Sequence, residues 1–174
     1  MSRLEQMKNL RGGVIYGAAR VAPTTARTWA IELGTTRGLG HPRYDVTDAV
    51  MLITMRQLTG EASIAAGPAA MIVNAIRPYL PNMIERVVQE QESTGKWRWE
   101  GGPFAIVTGK PTSAQGVDPS TWIAFCFADD PGVGLADRRS GLSPIVLPLR
   151  RLINRAILSL DQVLHGELSE YSEA

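Results

Sequence analysis

Apolar residues recur at helical spacing in three stretches of the first sixty residues. Residues 14–20 (VIYGAAR) are few and small, which lets a second helix pack close against them. Val21-Ala22-Pro23 reads as a turn. Across 24–33, Ala26, Trp29, Ala30 and Leu33 form one stripe. Either Thr24 caps this helix through its hydroxyl or Pro23 takes its first position. The stripe leaves Thr25, Arg27 and Thr28 pointing outward. Residues 34–42 hold three glycines, too many for a helix. A third stripe, Val46, Ala49, Val50 and Ile53, joined by Leu52, Met55 and Leu58, follows Asp45 as expected N-cap, with Asp48 favourable in its first turn. Thr59-Gly60 closes it. Residues 1–13 read as a short helix or a loose arm, with Arg3, Lys8 and Arg11 as phosphate contacts if the arm is ordered.

Beyond Gly60 the pattern changes twice. Residues 62–92 are helical in composition but broken at Gly67-Pro68, Pro78 and Pro81. The spacing predicts short helices from Pro68 to about Arg77 and from about Asn82 to Gln91, with no sustained heptad. From Trp97 the period becomes two. WRWE, Gly101-Gly102 and PFAIVTG read as a hairpin. TWIAFCFA (121–128) is apolar on both faces and predicts a central strand. SPIVLP (143–148) predicts an edge strand, because its prolines cannot donate to a ladder. Between them, 110–120 and 129–141 read as polar loops. Residues 149–164 are the cleanest amphipathic helix, with Leu149, Leu152, Ile153, Ala156, Ile157, Leu160, Val163 and Leu164 on one side and Arg150, Arg151 and Arg155 on the polar side. The acidic end, 167–174, is expected to be disordered. The expected fold class is α+β: an N-terminal helix-turn-helix unit (1–60), then short helices and a small antiparallel sheet covered by a C-terminal amphipathic helix (61–166).

Charge adds an asymmetry to this outline. The 174 residues carry a net charge of +1. Up to Thr59 there are eight Lys/Arg and four Asp/Glu, a net +4; from Gly60 on there are ten and thirteen, a net −3. A polyanionic partner therefore suits the first part alone. The single cysteine, Cys126, cannot form an internal disulfide, and within its apolar run it reads as an inert core thiol. His41 and His165 stand far apart, so no metal site and no cofactor is expected. No nucleophile has a visible base partner, and neither G-x-S-x-G nor H-E-x-x-H occurs, which argues against an enzyme. DDPGVGLADRR lacks phosphate-loop spacing, and Asp129-Asp130 read as solvated acids. Trp97, Trp99 and Trp122 suit packing better than a ligand pocket. Neither a signal-peptide core nor a run of about 18 apolar residues is present, which predicts a cytoplasmic protein without a membrane partner.

Residues 14–58 resemble the winged helix-turn-helix of the MerR family of transcriptional regulators. The recognition-helix run V-S-P-x-T-aliphatic-R-aromatic-aromatic corresponds to Val21-Ala22-Pro23-Thr24-Thr25-Ala26-Arg27-Thr28-Trp29. The wing end, R-x-Y or R-Y followed by a capping residue, corresponds to Gly40-His41-Pro42-Arg43-Tyr44-Asp45-Val46. The resemblance implies that Arg27 meets DNA and that Arg43 and Tyr44 touch its backbone or pack the wing; Arg37 falls within the wing by length. Two departures stand out. Thr28 replaces a common aromatic, and the wing carries one arginine where several basic residues are usual. The family's long dimerising coiled coil is also missing.

The combined expectation is a sequence-specific regulator of double-stranded DNA. Thr24, Thr25, Arg27, Thr28, Arg37, His41, Arg43 and Tyr44 are its candidate DNA contacts. Short hydroxyls and one arginine at a helix N-terminus suit base edges in the major groove. Residues 61–166 would supply homodimerisation and contact with a regulatory partner such as RNA polymerase. The setting implied is bacterial or phage-derived, on the nucleoid when bound. The alternatives are an architectural, excisionase-like or phage DNA-recognition protein, and a protein- or ligand-binding module with a vestigial helix-turn-helix.

Overall fold

The structure is a computed structural model that describes residues 3–34, 43–108, 124–128 and 145–166. The fold is mixed α+β and rich in helix. Four helices come first: α1 (Arg3–Gln6), α2 (Gly12–Ala19), α3 (Pro23–Glu32) and α4 (Val46–Arg56). A π-turn, Gln57–Glu61, carries α4 onward. Then come α5 (Ala66–Ile76), a 3₁₀ turn (Arg77–Tyr79) and α6 (Leu80–Thr94). Strands β1 (Phe104–Thr108), β2 (Ala124–Ala128) and β3 (Ile145–Pro148) lead into α7 (Leu149–Leu164). The loops expected at 110–120 and 129–141, and the acidic end at 167–174, lie outside the described residues.

The described residues fall into two compact units, one within 1–66 together with 155–174, the other within 67–154. In the first, α2 and α4 bury Ile15, Ala18, Ala19, Ala49, Val50, Ile53 and Met55. The small side chains Ala18 and Ala19 of α2 are among those buried against α4. Met7 and Leu10, from the segment before α2, are buried too. Arg3 forms an ion pair with Asp161 in the same unit.

In the second unit, the prolines that suggested breaks sit where helices tolerate them. Pro68 lies in the first turn of α5 and Pro81 in the first turn of α6, positions whose N–H groups have no intrahelical acceptor. The helices therefore start earlier than expected, at Ala66 and Leu80. Gly95, at φ +67, ends α6 in a left-handed cap and donates to the Gln91 carbonyl.

The sheet has the order β2-β1-β3, antiparallel throughout. The strand expected at the centre, β2, is an edge strand. β1 is central, and Ala105, Ile106 and Val107 in it are buried one after another. Both runs are apolar on both faces, so pattern alone did not rank them. β3 is the other edge, with Pro148 opposite Phe104. The hairpin expected across Gly101-Gly102 does not form, since 97–100 is not a strand. Side chains of α7 occupy carbonyls that a ladder would need: Asn154 Nδ2 donates to Arg98 O (2.8 Å) and Arg151 Nε to Trp99 O (3.3 Å).

The first turns of α7 pack on the sheet and bury Leu149, Leu152 and Ile153. Arg150, expected on the polar side with Arg151 and Arg155, is only 5% exposed. Its Nε donates to Gly102 O and its Nη1 donates to Glu90 Oε2 at 2.8 Å. A buried guanidinium persists only with such partners. Arg151 and Arg155 are exposed as expected.

Candidate nucleic-acid interface

The turn between α2 and α3 is built by backbone hydrogen bonds. Arg20 takes a left-handed conformation (φ +52, ψ +48). Its N–H donates to Gly17 O (3.0 Å), and the Val21 N–H donates to Tyr16 O (3.0 Å). This paired arrangement closes α2 and turns the chain sharply. Ala22 is the N-cap of α3, and Pro23 occupies its first turn. Of the two starts considered from sequence, the proline start holds. Thr24 is thereby released from capping; its carbonyl accepts from the Thr28 hydroxyl (3.1 Å).

α3 buries Pro23, Ala26 and Trp29, and Leu33 just beyond it is buried too; Ala30, expected in that stripe, is half-buried. Thr24, Arg27 and Thr28 are exposed, whereas Thr25 is half-buried. Ile31 shares their face and is 69% exposed. Residues three, four and seven apart lie along one side of a helix. The outward face is thus Thr24, Arg27, Thr28 and Ile31, and it has an apolar member outside the buried stripe.

α4 holds this pair from behind. Asp45 Oδ1 accepts from the N–H groups of Thr47 (2.7 Å) and Asp48 (3.3 Å), while Asp48 Oδ2 accepts from Asp45 N–H (2.9 Å). That is a complete capping box. At the other end of α4, Arg56 Nη1 donates to Ala19 O (3.2 Å). A cation there also suits the negative end of α2.

The segment before α4 is tied to the segment before α2 by a two-residue bridge. Leu10 N–H donates to Tyr44 O (2.9 Å) and Tyr44 N–H donates to Leu10 O (3.1 Å). Arg43 is exposed, and its Nη1 donates to Asn9 O (3.3 Å). The Tyr44 hydroxyl lies 3.1 Å from that of Tyr16, with the rings 6.0 Å apart and tilted edge to face at 64°. Tyr16, Arg43 and Tyr44 line a cleft of about 590 Å³, whose walls among the described residues also include Arg11, Gly12, Gly13 and Arg27.

No family model matches the chain, and neither does any curated protein or solved structure.

The structure thus brings Arg27, Arg43 and Tyr44 together around one cleft and places Thr24 and Thr28 on the outward face of α3 beside Arg27. Arg37 and His41 lie outside the described residues. Of the three cations in the N-terminal segment, Arg3 is paired with Asp161 and Lys8 with Glu5, and Arg11 lines the cleft. Tyr16, Gly12 and Gly13 were missed as site residues. No periodicity marks them, because a bridge between residues 34 positions apart places them there. Among the described residues, no group of three or more His, Cys, Asp or Glu is placed to hold a metal ion, and no helix is long and apolar enough to cross a membrane.

Proposed function

We propose that the protein is a sequence-specific regulator of transcription that binds double-stranded DNA as a homodimer. The observation that carries this reading is the outward face of α3. A helix held by a buried Ala26-Trp29-Leu33 stripe presents Thr24, Arg27, Thr28 and Ile31 to solvent. An arginine grips guanine through two acceptors, while threonine hydroxyls meet base edges or phosphates. The excess of positive charge in the first 59 residues supports a polyanionic partner. One such reader makes few base contacts, and pairing two of them on half-sites multiplies affinity and specificity. The role is binding rather than catalysis and needs no cofactor, and its setting is the cytoplasm.

The test starts from genomic fragments retained by the full chain, which define a site. Arg27→Ala is expected to weaken binding to that site by about 1–3 kcal/mol and to relax its base preference. Footprints should show two-fold half-sites whose centres are one helical turn, ~34 Å, or a multiple apart. Binding by Arg27→Ala as tight and as selective as wild type would sink this placement of α3.

A further inference from the structure

A second recess in the first unit, of about 80 Å³, lies where the ends of α2 and α4 meet the part of α7 from Arg155 on. Buried side chains of Ala18, Ala19 and Ile53 line it. Two of these are alanines, whose short side chains leave the space open. That space holds several waters, or one tetrahedral oxyanion in their place. Its polar wall carries Arg20 beyond α2, Arg56 in the last turn of α4 and Arg155 in α7, against the carboxylate of Glu61. Three positive groups and one negative give the lining a net +2. Among the described residues, the side chains of Arg20, Arg155 and Glu61 have no hydrogen bond or ion pair. Arg56 differs: its Nη1 donates to the Ala19 carbonyl at 3.2 Å, which fixes its guanidinium at the recess. Arg20 and Arg56 each stand at a helix C-terminus, where a cation suits the negative pole. Arg155 does not. It lies within α7, four residues before Ser159, so the two share the face of that helix that lines the recess. No helix pole accounts for it, and a third guanidinium beside two others raises the Coulomb energy unless an anion sits among them.

We propose that this recess binds the phosphate group of a small molecule, and that the bound anion ties the part of α7 from Arg155 on to α2 and α4. A phosphate ester carries a charge of about −2 above its second pKa of about 6, which matches the net +2 of the lining. Guanidinium N–H groups and the Ser159 hydroxyl are donors, and a phosphate dianion offers acceptors only. Glu61 opposes the ligand and makes the empty recess less positive. This site is separate from the outward face of α3 and stands whether or not that face reads DNA.

The test titrates the full chain with inorganic phosphate at about pH 8, where phosphate is mostly dianionic, with ionic strength held by sodium chloride. Saturable binding is expected, with a thermal midpoint that rises with phosphate and not with chloride at equal ionic strength. Arg155→Gln should weaken binding roughly 10-fold by losing charge-assisted hydrogen bonds. Glu61→Gln should tighten it, because the opposing charge is gone. Arg86→Gln removes the same charge as Arg155→Gln from an exposed position in α6 outside the recess, and should leave binding unchanged. No saturable phosphate binding, or equal binding by wild type and Arg155→Gln, overturns the site. So does an equal loss in Arg155→Gln and Arg86→Gln, which would report net charge alone. A duplex of unrelated sequence that Arg155→Gln weakens, in a protein that binds no phosphate, assigns the arginines to a nucleic-acid backbone and likewise overturns the small-molecule site.

Discussion

Arg20 holds a conformation that an L-residue adopts at a cost, φ +52 at the end of α2. Glycine there removes about 1–2 kcal/mol of steric strain and adds ~0.5–1 kcal/mol of chain entropy to the unfolded state. Arg20→Gly should therefore stabilise the protein by roughly 0.5 kcal/mol in denaturant titration. A lower midpoint would show that the Arg20 side chain makes a contact worth more than the strain. Asp45 is the opposite case, a residue whose side chain satisfies two backbone donors. Asp45→Ala is expected to cost about 1 kcal/mol, and Asp45→Asn much less, by the same measurement. Arg150 and Glu90 form the most buried ion pair described, with 7% and 30% of their side chains exposed. Arg150→Ala should cost roughly 2–3 kcal/mol, below the usual range for a buried pair because solvent reaches Glu90. The double change Arg150→Met with Glu90→Gln should recover part of that loss. Equal losses in the single and double variants would mean that the arginine's contact with Gly102 O, rather than the ion pair, sets the cost.

At the scale of elements, α3 and α7 were legible because each carries one apolar stripe at helical spacing. Trp29 anchors the first of these. Trp29→Ala should cost about 3–5 kcal/mol and abolish DNA binding through loss of the helix, whereas Arg27→Ala should lower the thermal transition far less than Trp29→Ala does. The cap at Asp45 was legible for a similar reason: a capping box is a local event between residues three apart. The sheet was harder. FAIVT and AFCFA are equally apolar, and which becomes central depends on pairings between residues far apart in sequence. The false hairpin at Trp97–Glu100 has the same origin, since Asn154 and Arg151 claim its carbonyls from some fifty positions away. Arg150 misled for a further reason, because helical phase alone assigned it to the polar side. Half of the candidate interface was visible as outward positions on α3. Arg11 was read as a phosphate contact of an N-terminal arm, but its place in one cleft with Tyr16 and Arg43 was not, because that cleft exists only once Leu10 has met Tyr44.

At the scale of the whole molecule, that bridge sets an exposed helix face beside a cationic cleft within one unit. The same unit is discontinuous in sequence, since it draws on residues within 1–66 and within 155–174. Synthesis runs from one end to the other, and domains generally fold as units while they emerge. Helices α2 to α4 are made before the second unit, and the residues of α7 that complete their own unit are made after it. Ala156, Ile157, Leu160 and Val163, all buried, and Asp161, the partner of Arg3, reach it only after every residue of the second unit. A stop codon after Asn154 would leave every proposed DNA contact in the sequence. The shortened protein should nonetheless unfold at lower denaturant and retain no duplex, so any DNA binding that the proposed reader carries would depend on a helix made only after the second unit.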